Sequence, residues 1–231
     1  MNQNSAAATV DVYLIDLNGI PEERFPGLLA RLSESEVTRF HQFRLPLRQR
    51  QFLTGRIVLR CALSRMLRLP VAQIELAEQA QRAPQLIQPD HARASGFSIS
   101  HSGNWVAVAC SQQVQLGLDI ELLNPDRNLA GIAEHSFSKK DVLWFQSQPD
   151  PVVAFYQLWS SKEARYKLTQ GDAQHSTEHR YLLSHPTLSM VLMADAALPV
   201  APEYKLLDWS ILDASLAVSA DEACQNLTNS K

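Results

Sequence analysis

Asp119 and Glu121 stand two residues apart in Gly117-Leu118-Asp119-Ile120-Glu121. A third carboxylate, Glu163, follows 42 residues later in Trp159-Ser160-Ser161-Lys162-Glu163-Ala164-Arg165-Tyr166-Lys167. On a β-strand, residues i and i+2 point to one face. Asp119 and Glu121 then project together, while Leu118 and Ile120 enter a core. Two unpaired carboxylates side by side repel, and a bound cation relieves the repulsion. All-oxygen ligation suits Mg²⁺, with Mn²⁺ as the alternative; Mg²⁺ keeps several waters and is commonly shared with substrate phosphates. The competing reading is that Asp-x-Glu on an edge strand is a solvated face.

Other residues with chemical capacity lie on either side. Glu163 and Lys167 are four apart and share a helix face, either as a plain surface ion pair or as parts of a site. Trp159 reads as a packing residue that fixes this helix, and Lys162 points elsewhere. Upstream, Phe97-Ser98-Ile99-Ser100-His101-Ser102-Gly103 puts a histidine beside two hydroxyls, but no Gly-x-Ser-x-Gly elbow surrounds them. Arg39, Arg44, Arg48, Arg50, Arg56 and Arg60 form a basic segment, which is a solvated helix face unless it binds phosphates.

The elements that must hold these residues can be read from periodicity. Val10 to Ile15 alternates like a first strand. Leu28 to Phe43 predicts one helix capped by Ser33 or Ser35, and Arg48 to Leu69 a longer one ended by Pro70. Its positions Phe52, Ile57, Leu59, Leu63 and Leu67 should face a core. Gln79 to Ser95, with Pro84 and Pro89, reads as a loop. Phe97 to Ser100, Trp105 to Cys110 and Val114 to Glu121 read as strands. The turn at Ser111-Gln112-Gln113 suggests that the last two are antiparallel neighbours. Leu129 to His135, Lys139 to Phe145 and Pro151 to Lys167 read as helices, and the remainder of the chain mainly as strands. The whole predicts an α+β fold with antiparallel sheet.

Bulk properties narrow the class. The 231 residues suffice for one large domain or two small ones, and 45% hydrophobic content argues against disorder. A net charge of −3 gives no basic field for nucleic acid. Cys61, Cys110 and Cys224 are an odd, widely spaced set outside any metal motif. The first two lie in apolar runs as buried free thiols, which fits a reducing compartment. No stretch approaches the apolar length of a membrane span, and Met1 to Thr9 lacks a secretory pattern. The expected location is the cytoplasm.

The blocks Phe97–Gly103, Gly117–Glu121 and Trp159–Lys167, in this order and spacing, resemble the 4′-phosphopantetheinyl transferases, in particular the larger, monomeric surfactin-synthetase-activating type. A fainter resemblance extends back to Arg39 and forward to a final strand near Leu216-Ala217-Val218. It implies two similar α+β halves, residues 1–113 and 114–231, related by a pseudo-twofold axis with the active site in the cleft between them. The implied reaction moves the 4′-phosphopantetheine arm of coenzyme A onto a serine of an apo acyl or peptidyl carrier protein and releases adenosine 3′,5′-bisphosphate.

The resemblance also implies roles. Asp119, Glu121 and Glu163 would hold Mg²⁺, and Glu163 would be the base, directly or through a water. Lys167 would contact the reacting phosphate. His101 would bind a coenzyme A phosphate, the 3′-phosphate by preference, with Ser100 and the backbone around Ser102 as neutral donors. Arg48, Arg56 and Arg82 would serve the nucleotide end. There the chain departs from the family pattern, which has an Asp-Arg pair near Arg48-Gln49 and Gly-Lys-Pro or Gly-Arg-Pro where this chain has Arg82-Ala83-Pro84. Carrier proteins of this kind are small and acidic, so Lys139 and Lys140, followed by Leu143, Trp144 and Phe145, would form the docking surface. The alternative is that Trp144 is core and the lysines an ordinary solvated face. Two other functions use the same residues: a Mg²⁺-dependent phosphohydrolase and a non-catalytic coenzyme A-binding module.

Overall fold

In the computed structural model, which describes residues 8–79, 83–169 and 178–217, the alternating opening segment becomes strand β1 (Asp11–Asp16). The single helix expected over Leu28 to Phe43 is instead two, α1 (Phe25–Leu29) and α2 (Glu34–His41). The break is a helix start: Ser33 is extended and forms a reciprocal capping box with Glu36. The long helix α3 (Pro46–Leu67) begins with Pro46 in its first turn and ends where Arg68 turns left-handed at φ 56°, two residues before Pro70. Its middle is buried all round, from Gln51 to Leu63.

The stretch expected as a loop holds structure. Strands β2 (Glu75–Ala77) and β3 (Gln85–Gln88) pair antiparallel, and a helical turn comes after them over Asp90–Ala92. Pro84 and Pro89 lie just outside β3, where no ladder hydrogen bond is lost. Next come β4 (Gly96–Ser102) and β5 (Trp105–Ser111), an antiparallel hairpin whose turn contains Gly103 at φ +54°. After these stand β6 (Leu116–Leu122), α4 (Leu129–Ser136), α5 (Lys139–Gln146) and α6 (Pro151–Thr169). Last are β7 (His179–Leu183), β8 (Leu188–Ala194), β9 (Tyr204–Leu207) and α7 (Trp209–Ala217). The strand expected near Leu216 is the end of this helix: Leu212 and Leu216 bury one face of it in the first core, while Val218 lies outside the described residues.

The strands order as β4-β5-β1-β9, β2-β3 and β6-β8-β7. Every adjacent pair is antiparallel except β1 and β9. The expectation that β5 and β6 are paired neighbours fails. β5 already has β4 and β1 on its two edges, so β6 crosses to the other sheet and pairs with β8.

Alternation then stacks the layers. Tyr13, Ile15, Val106, Val108 and Cys110 face α3, while Val12, Leu14, Ala107 and Ala109 face the opposite way onto Leu116, Leu118, Ile120, Met190 and Leu192. On the far side of the second sheet, Val191 and Met193 pack on Ala164 and Leu168 of α6. The order is helix, sheet, sheet, helix, a mixed α+β architecture. Cys61 and Cys110 are buried free thiols inside the first core, and burial pushes both up to about 12. Cys224 lies outside the described residues. None of the described helices is long and apolar enough to cross a membrane.

Gly117 sets the spacing between α6 and β6. A Cβ there would stand 1.8 Å from the Ala164 carbonyl oxygen and 2.6 Å from the Leu168 nitrogen. Backbone on both sides leaves nothing soft to move. Gly117→Ala should therefore lift α6 off the sheet at a cost of roughly 3 kcal/mol, read as a lowered denaturation midpoint. Wild-type stability in this variant would show that the two elements are not held that closely.

Candidate active site

Strand β4 presents two chemically different faces. Phe97, Ile99 and His101 point toward α3. Ser98, Ser100 and Ser102 point to the free edge of β6, where their hydroxyl oxygens accept from the amides of Leu118 (2.9 Å), Ile120 (3.1 Å) and Leu122 (3.0 Å). A hydroxyl has one proton besides its two lone pairs. Ser100 donates its proton to Asp119 Oδ1 at 3.1 Å, and Ser102 donates to Glu121 Oε2 at 2.9 Å.

The two carboxylates do share one face of β6, with Leu118 and Ile120 in the core behind them. Asp119 is buried, Oδ1 taking Ser100 and Lys167 while Oδ2 has no partner among the described residues. Glu121 Oε1 accepts from the indole N–H of Trp159 at 3.2 Å. Burial, and to a lesser degree the charge of Asp119, hold the Glu121 carboxyl above its usual range. Trp159 also stacks on Phe155, with ring centroids 6.3 Å apart, so it both packs and binds.

Helix α6 faces these carboxylates with a stripe at i, i+4, i+8: Trp159, Glu163, Lys167. The outer two reach Glu121 and Asp119, so Glu163 stands midway on the same stripe. The Lys167 ammonium pairs with Asp119 Oδ1 at 2.8 Å, not with Glu163, and also donates to Ser100 Oγ and the Leu118 carbonyl, each at 3.0 Å. Among the described residues, no three His, Cys, Asp or Glu side chains converge closely enough to hold a metal by themselves. Lys162 turns the other way, onto the Ser136 carbonyl and the ring of Phe137, and ties α4 to α6.

On the α3 side of β4 lies a cleft of about 480 Å³, floored by Phe97, Ile99 and His101 and walled by Arg39, Phe43, Arg48, Phe52, Arg56, Tyr166 and Lys167. Arg48 Nη1 sits 2.9 Å from His101 Nδ1 and against Nε2, and donates to Gln51 Oε1 at 2.5 Å. Gln51 in turn donates to the Gly103 carbonyl at 2.7 Å, locking the arginine to the hairpin turn. Burial, then Arg48 and Lys167, press His101 down to about 4; burial, then Arg39, lower Arg48. Arg39, Arg48 and Lys167 thus converge around a neutral His101, and neither arginine has a carboxylate partner among the described residues.

The remaining basic residues divide. Arg56 lines the cleft, but Nε and Nη2 both rest on Glu78 Oε1 at 2.7 Å. Arg60 is buried on Glu36, which joins α2 to α3. Arg50 pairs with Glu22 at 2.8 Å. Arg82 lies outside the described residues, although its neighbours Ala83 and Pro84 line the cleft. Lys139 and Lys140 are exposed at the start of α5, capped by Ser138 and Asp141. Trp144 is 42% and Leu143 69% exposed, while Phe145 fills the core position, which corrects the reading of Trp144 as core.

The residues fit a hard divalent cation. Asp119 Oδ2, buried and without a partner among the described residues, and Glu121, whose carboxyl burial holds above its usual range, are the donor set such an ion takes when waters and a phosphate complete its shell.

Two family profiles cover most of the chain, "4′-phosphopantetheinyl transferase, N-terminal" over residues 21–113 and "4′-phosphopantetheinyl transferase superfamily" over residues 115–201. The 4′-phosphopantetheinyl transferase HetI of a Nostoc species is 31% identical over 192 residues, 81% of this chain and 77% of its own. The chain belongs to the 4′-phosphopantetheinyl transferase superfamily. A Synechocystis relative is 31% identical over 146 residues, 62% of this chain and 59% of its own. The 4′-phosphopantetheinyl transferase psf-1 of Bacillus pumilus is 35% identical over 130 residues, 55% of this chain and 53% of its own. The match thus spans little more than half the length of some of these transferases and three quarters of another.

Within this transferase framework, sequence reading missed three partners: the Trp159 indole N–H on Glu121, Gln51 behind Arg48, and Ser98. Only Trp159 carried a signal, its place on the Glu163 stripe. The depressed His101 has a consequence for stability. The unfolded chain binds its proton near pH 6.5, the folded one only near pH 4. Between those values the unfolded state holds more protons, so stability falls as the pH falls through this window. His101→Gln should flatten that part of a stability–pH curve from denaturant midpoints; an unchanged slope would mean that His101 is not shielded from protons.

Proposed function

We propose that the chain transfers the 4′-phosphopantetheine arm of coenzyme A to a serine of an apo acyl or peptidyl carrier protein, releasing adenosine 3′,5′-bisphosphate. The observation that carries this reading is the contact between two poles of opposite charge. One is the pair of guanidinium groups, Arg39 and Arg48, beside the neutral His101 in the cleft; the other is the carboxylate pair behind Lys167, whose ammonium borders both. A pyrophosphate with its divalent cation carries charge of both signs and complements both poles. The family membership and the names of the relatives support the same chemistry.

In this reading two α+β halves, residues 1–113 and 114–231, meet along β4 and β6 with the active site in the cleft, and β9 and α7 cross back from the second to complete the sheet and core of the first. The junction of the two profiles at residue 114 supports that division. A pseudo-twofold relation between the halves belongs to the same proposal. Arg48 and His101 bind a coenzyme A phosphate, the 3′-phosphate by preference. Arg56 shapes the nucleotide end through Phe52, over which its guanidinium lies at 4.5 Å. Ser100 and Ser102 border this site; Arg82, assigned to the nucleotide end by the resemblance, lies outside the described residues. Asp119, Glu121 and Glu163 would hold a Mg²⁺ (or Mn²⁺) ion, which would supply the positive charge that neutralises the pyrophosphate. Lys167 stands between the poles and stabilises charge developing on the reacting phosphate. Glu163, which has no hydrogen-bond or ion-pair partner among the described residues, takes the proton of the carrier serine. The chain works as a cytoplasmic monomer that needs neither nucleic acid nor membrane.

Incubation with coenzyme A and an apo carrier should add the phosphopantetheine mass to the carrier; release of free phosphopantetheine without that gain would favour hydrolysis. Asp119→Ala should keep the fold and lose several kcal/mol of transition-state stabilisation, about a thousandfold or more in kcat/KM. Near-normal turnover of this variant with Mg²⁺ present would sink the assignment.

The carrier docks on α5, where Lys139, Lys140, Leu143 and Trp144 are all exposed along one side. Lysines steer an acidic partner by long-range attraction, which salt screens. Lys139→Glu with Lys140→Glu should raise KM for the apo carrier roughly tenfold at low ionic strength, much less at high, and leave coenzyme A affinity alone. Unchanged carrier KM at both salt concentrations would move the docking surface elsewhere.

A further inference from the structure

Resting on the cation site just proposed, we infer that Ser100 and Ser102 are positioning residues that aim the metal carboxylates, and that this is the main task of their hydroxyl groups. Hydrogen-bond accounting leads there. Ser100 Oγ accepts from the Ile120 amide and from Lys167 Nζ, and gives its proton to Asp119 Oδ1. Both lone pairs and the proton are used, so nothing is left for a ligand. Ser102 Oγ accepts from the Leu122 amide and gives its proton to Glu121 Oε2. Ser98 completes the row: it accepts from the Leu118 amide but touches neither carboxylate.

The three serines therefore share one backbone task and differ in a second. Each satisfies a β6 amide that has no strand beside it. Ser100 and Ser102 additionally fix one oxygen of each carboxylate, which orients the other. Asp119 Oδ2 is the oxygen so left over, buried and without a partner among the described residues. Hydrogen bonds to ligating carboxylates from such supporting groups commonly govern metal affinity by about 10–100-fold.

The row supplies its own control. Mn²⁺ binding to the full chain, without coenzyme A or carrier, is measured by calorimetry for Ser98→Ala, Ser100→Ala, Ser102→Ala and Ser102→Thr, beside thermal unfolding. All three alanine variants should lose stability, since each strands an amide. Only Ser100→Ala and Ser102→Ala should weaken Mn²⁺ binding, by about tenfold or more. Ser102→Thr, which returns the hydroxyl at a half-buried position, should restore it. Should Ser100→Ala fail to fold, the Ser102 pair decides alone. The inference is overturned if Ser102→Ala binds Mn²⁺ like the unmutated protein, or if Ser98→Ala loses as much affinity as Ser102→Ala. Failure of the unmutated protein to bind Mn²⁺ would instead overturn the cation site itself.

Discussion

The Lys167 ammonium is the charge on which the rest of the site depends. It leaves α6, reaches Asp119 and the Leu118 carbonyl on β6, and ends against Ser100 on β4. An ammonium has three protons, and here three acceptors from two strands take them. Asp119 is buried, and a buried carboxylate without a cation is costly. Removing Lys167 would strand that charge as well as loosen three elements. Because Lys167 occupies only Oδ1 of Asp119, its pairing is compatible with a second cation on Oδ2.

That arrangement separates charge across β4. On one side Arg39 and Arg48 crowd together beside a neutral His101, and the repulsion between the two guanidinium groups marks a place for an anion. On the other, Glu121 feels Asp119 and marks a place for a cation. Lys167 borders both. The clustered like charges cost stability in the free protein, and the bound substrate and ion would relieve that cost. Arg60, Arg56 and Arg50 do not add to this repulsion, because each has a carboxylate beside it, Glu36, Glu78 and Glu22 in turn.

Much of the carboxylate side was legible in the sequence, because its signals are local. Asp119 and Glu121 sit at strand period two, and Trp159, Glu163 and Lys167 at helix period four, so each pattern places its own residues on one face. What joins them is not local. Nothing in the spacing says that Lys167 pairs with Asp119 rather than with Glu163, since that depends on Gly117 letting α6 approach β6. The fate of the arginines was hidden for the same reason. Arg56 and Arg60 find Glu78 and Glu36, residues 22 and 24 positions away, across a helix packing that periodicity does not specify. Strand pairing failed similarly: a three-residue turn suggested a hairpin between β5 and β6, but both edges of β5 were already taken. The strand that the resemblance implies near Leu216 is a helix here, and the spacing of four between Leu212 and Leu216 puts both on its one buried face.

The join between the two sheets has a chemical reason to be made of serines. A strand pairing normally offers carbonyl oxygens to its neighbour's amides, and a carbonyl can only accept. Had β4 bonded β6 in that way, the sheets would have fused at a spacing near 4.8 Å, and Asp119 and Glu121 would have had to find their donors elsewhere. Hydroxyl groups meet the same amides and keep a proton in reserve. Two of the three serines use that proton on the carboxylates. The contact that closes the fold and the contact that aims the site are therefore made by the same atoms. Nothing with fewer functions than a hydroxyl could make both.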